Sequence, residues 1–188
     1  DDDEVHAWSA VLDEHLWDGV TLATIAVGND GEGDPAIKAN RIQVPADCVN
    51  ALGIGACDVP DDHWQRAPYS SVGPGRSPGI IKPDLVEFGG SIQRPFLTLD
   101  SLIGTNIIPT GGTSFSSPST MRMGTGVRAH LGANLSQLAI RALLVHCSES
   151  SDLPKLEVGW GRLARELDDI VICEDTVMRV VYQGKISA

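Results

Sequence analysis

The segment Gly112-Thr113-Ser114-Phe115-Ser116-Ser117-Pro118 places a hydroxyl where a helix is expected to begin. A helix that starts at a serine aims backbone N–H groups and the positive end of its dipole at whatever the hydroxyl attacks. Acyl transfer uses such a geometry, because negative charge develops on the carbonyl oxygen as the nucleophile adds. The preceding glycine lets the chain approach a substrate closely. An ordinary helix N-cap uses the same residue types, with Ser114 or Thr113 as the cap, so the tripeptide alone leaves both roles open. A serine hydroxyl is almost wholly protonated at pH 7 and attacks poorly without a base. That base is a histidine oriented by a carboxylate. Of the five histidines, His6 and His15 fall on a helical pattern, His63 lies in the loop Asp61-Asp62-His63-Trp64, and His130 and His146 fall at helix ends. None stands beside a carboxylate in a recognised catalytic spacing. A lipase-like elbow needs Gly-x-Ser-x-Gly, and position 116 is serine.

The elements that must carry this serine are legible in the hydrophobic pattern. Residues 3–18 read as an amphipathic helix, with Val5, Trp8, Leu12 and Leu16 at helical spacing and Gly19 as its stop. The acidic start, Asp1-Asp2-Asp3-Glu4, is expected to charge the first turn of that helix. Residues 20–27 (VTLATIAV) form an apolar run suited to a parallel strand covered on both faces. A turn-rich stretch, Gly28-Asn29-Asp30-Gly31-Glu32-Gly33-Asp34-Pro35, follows. Further strands are expected over 51–57, 83–90, 96–99 and, by alternation, 176–186. One helix should run from Ser114 to about His130. Another should be capped by Ser136, with Leu138, Ala139, Ala142, Leu143 and Val145 inward.

With those segments in place, a family likeness becomes specific. Gly112-Thr113-Ser114-Phe115-Ser116-Ser117-Pro118 resembles the nucleophile motif of the subtilases, the subtilisin-like serine peptidases. Ala26-Val27-Gly28-Asn29-Asp30-Gly31 is similar to the family's oxyanion segment, at the end of a buried strand. Val44-Pro45-Ala46, the run 51–56 and Tyr69-Ser70-Ser71-Val72-Gly73 resemble the stretch near its S1 pocket. Lys82-Pro83-Asp84-Leu85-Val86-Glu87-Phe88-Gly89 is similar to its Lys-Pro-Asp strand, with Phe88 where the family has proline. Gly159-Trp160-Gly161-Arg162 resembles the turn after the helix that follows the serine. The likeness implies a partial subtilisin-like α/β fold, a mostly parallel sheet flanked by helices. It also implies a serine endopeptidase that works through an acyl-enzyme on Ser114, with Asn29 and the Ser114 N–H holding the oxyanion. Ala26, Val27, Gly28 and Thr113 would line the substrate.

The likeness departs in two places. Ser119-Thr120-Met121-Arg122 stands where the family has His-Val-Ala-Gly, and Arg122 and Arg128 put the packing of that helix in question. The family's Asp and His motifs precede its Asn, and neither occurs here. Residues 1–188 are therefore expected to be the C-terminal portion of a subtilase catalytic domain, inactive alone, with 166–188 opening a following β segment. The implied partners are a peptide or protein substrate, the N-terminal half of the same domain and, through exposed strand edges, a second copy of the chain. A degenerate domain that binds or assembles is the alternative. The net charge of −11 argues against nucleic acid and anionic lipid, and no apolar run is long enough to span a membrane. No cofactor is expected; calcium is common in the family, but the acidic loops 30–34 and 61–62 read as solvated turns. The cysteines Cys48, Cys57, Cys147 and Cys173 show no metal spacing and read as buried thiols. With no visible export feature, they tilt the expected location to the cytoplasm.

Overall fold

In the computed structural model, which describes residues 4–100 and 104–184, three parallel strands form the central sheet. They are β1 (Thr24–Ala26), β2 (Leu52–Cys57) and β3 (Leu85–Phe88), in spatial order β1-β2-β3. Ala26 pairs with Ile54, and Ile54 with Leu85. All six residues of β2 are buried, as its central position demands. A hairpin of β4 (Phe96–Leu99) and β5 (Ile107–Thr110) stands apart as a second, antiparallel sheet.

Helix α1 (Ala7–Leu16) precedes the sheet, and α2 (Thr113–Leu131) packs across all three of its strands. Helix α3 (Gln137–His146) lies against α2, and the short turns α4 (Lys155–Val158) and α5 (Asp168–Val171) follow. The main core gathers Leu52, Ile54 and Leu85 from the sheet with Met123 and Val127 of α2 and Ile140, Leu143 and Leu144 of α3. Trimming a residue of this kind to alanine costs about 2–5 kcal/mol. A buried ionic knot ties the layers. Lys82 Nζ donates to Asp84 Oδ2 at 2.5 Å and to the Ala51 carbonyl at 2.9 Å. Asp84 also accepts from the Gly53 N–H at 2.7 Å and from Arg141 of α3 at 3.3 Å.

Several expectations are corrected. Helix α1 covers 7–16, not 3–18, and its N-cap is His6, whose Nδ1 accepts from the Trp8 N–H at 3.2 Å. Glu4 lies ahead of the helix, no acid sits in its first turn, and residues 1–3 lie outside the described residues. Its buried residues are Ser9 and Leu16, while Trp8 is 65% exposed. The cause is polar docking. Ser9 Oγ donates to Asp47 at 2.5 Å, and Asp13 accepts from the backbone N–H groups of Val49 and Asn50. Strand β1 has three half-buried residues because it bonds to β2 alone, at the sheet edge, and Val20 lies exposed before it.

The inward face of α3 is Ala139, Ile140, Leu143 and Leu144, and Leu138 is 64% exposed. Arg141 turns that helix by donating to the Val49 carbonyl at 2.8 Å as well as to Asp84. Strand β5 escapes the sequence pattern because it carries Pro109 and buries none of its four residues. Residues 176–184 form no strand, and 185–186 lie outside the described residues. Instead Arg179 bonds to the Ile170 carbonyl, and the Gln183 amide bridges the Asn134 carbonyl and the Ser136 N–H. The thiols of Cys48 and Cys57 are buried; Cys147 and Cys173 are only half-buried, and all four are free.

Candidate active site

The serine expected to act as nucleophile is the second residue of α2, and its side chain is exposed. The turn before it depends on Gly112, whose φ of 154° and ψ of 153° place it in a region closed to residues with a Cβ. Two serines that follow pin the helix start to the sheet. Ser116 Oγ donates to the Glu87 carbonyl of β3 at 2.9 Å. Ser117 Oγ donates to Thr24 Oγ1 of β1 at 3.1 Å, and Thr24 donates back to the Ser117 carbonyl at 3.1 Å. The position of Ser114 is thus fixed from both outer strands. Phe96 of the hairpin stacks on Phe115 at 4.8 Å and approaches Phe88 at 6.1 Å, so the residue that replaces the family proline anchors the hairpin beside the serine.

Asn29 reaches the same point from the exit of β1. Gly28 makes the bend with a φ of 105°, and a Cβ there would lie 2.5 Å from the Gln43 side chain. The Asn29 Oδ1 accepts from the Thr113 N–H at 2.9 Å and from the Thr113 hydroxyl at 3.0 Å. Two donors on one amide atom mark it as the oxygen. The other atom, Nδ2, is therefore a donor. It faces Gly112, where a Cβ would stand 3.4 Å from it. The Thr113 N–H is committed to Asn29 and the Phe115 N–H to the Gly112 carbonyl at 3.0 Å. The Ser114 N–H between them belongs to the four N-terminal donors that a helix leaves unspent.

Two open donors and an exposed hydroxyl thus converge at one helix start. That arrangement can receive a carbonyl oxygen on which charge develops. Thr113 is fully buried and acts on Asn29, while Ser114 and Asn29 are exposed. The structure does not bring Ala26, Val27 and Gly28 into an open cleft. Val27 is fully buried; its N–H goes to the Ile54 carbonyl and its own carbonyl accepts from Gln43. The Gly28 carbonyl accepts from the Ser71 N–H at 3.1 Å.

The packing question raised by Arg122 and Arg128 is answered by their placement. Arg122 is exposed, Arg128 bonds to the Ala133 carbonyl, and the inward face of α2 is Ser116, Thr120, Met123, Gly124 and Val127. His15, His130 and His146 occupy the last turns of α1, α2 and α3. Among the described residues no histidine hydrogen-bonds to Ser114, and no group of three or more His, Cys, Asp or Glu side chains is arranged around a metal position.

Two features had no signal in the sequence beyond their motifs. Glu87, on β3 beneath the helix start, is pushed up to about 7 by burial, against the opposing pull of Arg162 and Arg122. A cleft of about 490 Å³ opens next to the serine turn, between Tyr69, Gly90, Ile92, Pro95, Pro109 and Gly111. Tyr69 holds one wall by donating to the Gly90 carbonyl at 2.8 Å, and burial raises its phenol to about 12.

Residues 1–161 match the model of the subtilase family of peptidases. Among solved structures, the prenylagaramide maturation protease PagA superposes with a TM-score of 0.67 at 20% identity, covering 89% of this chain and 56% of its own. The epidermin leader peptide processing serine protease EpiP from Staphylococcus aureus gives 0.63 at 18% identity, covering 83% and 42%. A lanthipeptide protease gives 0.63 at 15% identity, covering 88% and 54%. The chain thus spans roughly half the length of the structures it resembles, and at these identities the likeness is one of fold. No curated protein sequence matches the chain.

Proposed function

The chain belongs to the subtilase family, and from that premise we propose that it carries the nucleophile and oxyanion hole of a serine endopeptidase. Ser114 Oγ attacks the scissile carbonyl, and the carbonyl oxygen moves between Asn29 Nδ2 and the Ser114 N–H. The amine leaves with a proton, and water then hydrolyses the acyl-enzyme. The observation that carries this reading is the double donation from Thr113 to Asn29 Oδ1, which leaves Nδ2 as an open donor beside the serine turn. A buried threonine that orients an exposed amide toward an exposed serine is more than a helix cap requires.

The general base and its orienting carboxylate are proposed to come from a preceding segment of a longer chain. The spans shared with the relatives leave room for one. Without that segment the 188-residue chain retains only the roughly 10³–10⁴-fold catalysis that oxyanion stabilisation and binding provide. By their titles, one of the relatives named above matures prenylagaramide and another processes the epidermin leader peptide; a peptide substrate suits the present chain too.

A fluorophosphonate probe tests the assignment. In the full natural-length protein the probe should attach to Ser114 with loss of fluoride, and Ser114→Ala should abolish the adduct. An intact protein mass without the adduct would discard the peptidase reading and leave a binding or assembly domain.

A further inference from the structure

We infer that the cleft beside the serine turn takes the cationic side chain of a substrate lysine or arginine, with Glu32 as its counter-charge. The inference rests on the peptidase reading for the word substrate, and on the cleft's own chemistry for the rest. Its walls continue the two segments that carry the candidate site. From Asn29 the chain runs three residues to Glu32, and from Ser114 it runs back through Gly111 to Thr110 and Pro109. A side chain seated there belongs to a residue close to the scissile bond.

The lining selects the ligand. Tyr69, Ile92, Pro95 and Pro109 offer apolar surface suited to a methylene stem. Glu32 is the sole charged residue among those that line the cleft, and it is exposed. The nearby Asp30 carboxylate is already engaged by the Gln43 amide. The loop is held in place: the Gly31 N–H donates to the Tyr69 carbonyl at 2.7 Å, and the Gly33 N–H to the Asp30 carbonyl at 2.7 Å. A largely apolar lining with one exposed carboxylate matches a side chain that buries its stem and keeps its charged head in water. An acidic side chain would meet Glu32 and the net charge of −11 with like-charge repulsion.

The test is a titration of the full 188-residue chain, followed by amide NMR shifts. The ligands are two capped tripeptides that differ at the centre, arginine in one and norleucine in the other. The arginine peptide should shift residues around Tyr69, Ile92 and Thr110 and bind about fivefold tighter than its norleucine analogue, the advantage an exposed ion pair can supply. In Glu32→Gln that advantage should vanish, with norleucine binding unchanged. Equal binding of the two peptides to the native chain, an advantage that survives Glu32→Gln, or shifts elsewhere on the surface would each overturn the inference. Ser114→Ala separates the two proposals, because the cleft does not use the hydroxyl. Its peptide preference should match the native chain even where fluorophosphonate labelling has failed.

Discussion

Asn29 is asked to do two things, and its two amide atoms divide them. Oδ1 caps the start of α2 by accepting the Thr113 N–H, and Nδ2 is the open donor. Substitutions can separate the roles. Asn29→Ala removes both and should cost about 1 kcal/mol of stability, as the loss of a helix cap does. It should also slow labelling of Ser114 by about 10²–10³, the loss found for an oxyanion-hole asparagine in a subtilisin. Asn29→Asp keeps an acceptor for Thr113 at the positive end of the helix, so its melting temperature should stay near that of the native protein. Its labelling should be as slow as in Asn29→Ala, because the donor is gone and a charge repels the oxyanion. Thermal denaturation and labelling kinetics on the three proteins check this; an Asp variant that labels at the native rate refutes the donor role of Nδ2. The residue types at this site were legible in the sequence because each sits in a motif. The division of labour was not, since the partner of Asn29 is 84 residues away and only the fold shows that it is Thr113.

At the scale of elements, the strands and helices that hold the serine followed from local pattern, and their faces only in part. Strand β2 was visible because burial on every side leaves a continuous apolar or small-residue run, and the start of α2 because Gly112-Thr113-Ser114 marks a helix N-terminus. The inner face of α1 follows the hydrophobic spacing at Leu12 and Leu16, which pack with Cys48 and Ala51, and departs from it at Trp8, because Ser9 and Asp13 dock the helix through polar bonds. Glu87 illustrates the same limit on β3, where an acid occupies a half-buried position. Its carboxyl is raised from 4.5 to about 7, chiefly by burial, so between those values the native state holds a proton that the unfolded chain has released. Stability therefore falls as pH rises through that window. The contribution is on the order of 3 kcal/mol, complete above about pH 7 and absent below the unfolded value. Glu87→Gln should flatten this slope. Melting curves from pH 4.5 to 8 should show the native chain losing about 6–12 °C relative to the variant. Parallel curves for the two proteins would mean that Glu87 is solvated.

The whole molecule leaves apolar surface uncovered, part of it on and beside α1. Trp8 is 65% exposed, Val11 64% and Trp17 79%, all on or next to α1. The neighbouring strand β1 bonds to β2 on one side only, and an unpaired edge is a template for another strand. Trp8 and Val11, three residues apart, share one face of α1 with Leu12, and an apolar surface of that kind marks an interaction site. We propose that in solution this flank pairs with a second copy of the chain. The net charge of −11 opposes self-association, so salt decides between the two effects. Screening shortens the reach of charge repulsion to about 3 Å at 1 M salt and leaves apolar burial intact. Light scattering behind a sizing column should therefore give a mass that rises from 20.0 kDa toward twice that value with concentration and with salt. Trp8→Glu adds a charge to the exposed patch without disturbing the buried Ser9 and Leu16, and it should hold the chain at 20.0 kDa under the same conditions. A monomeric native chain at high salt, or a variant that associates as strongly as the native one, would show that this flank is tolerated bare.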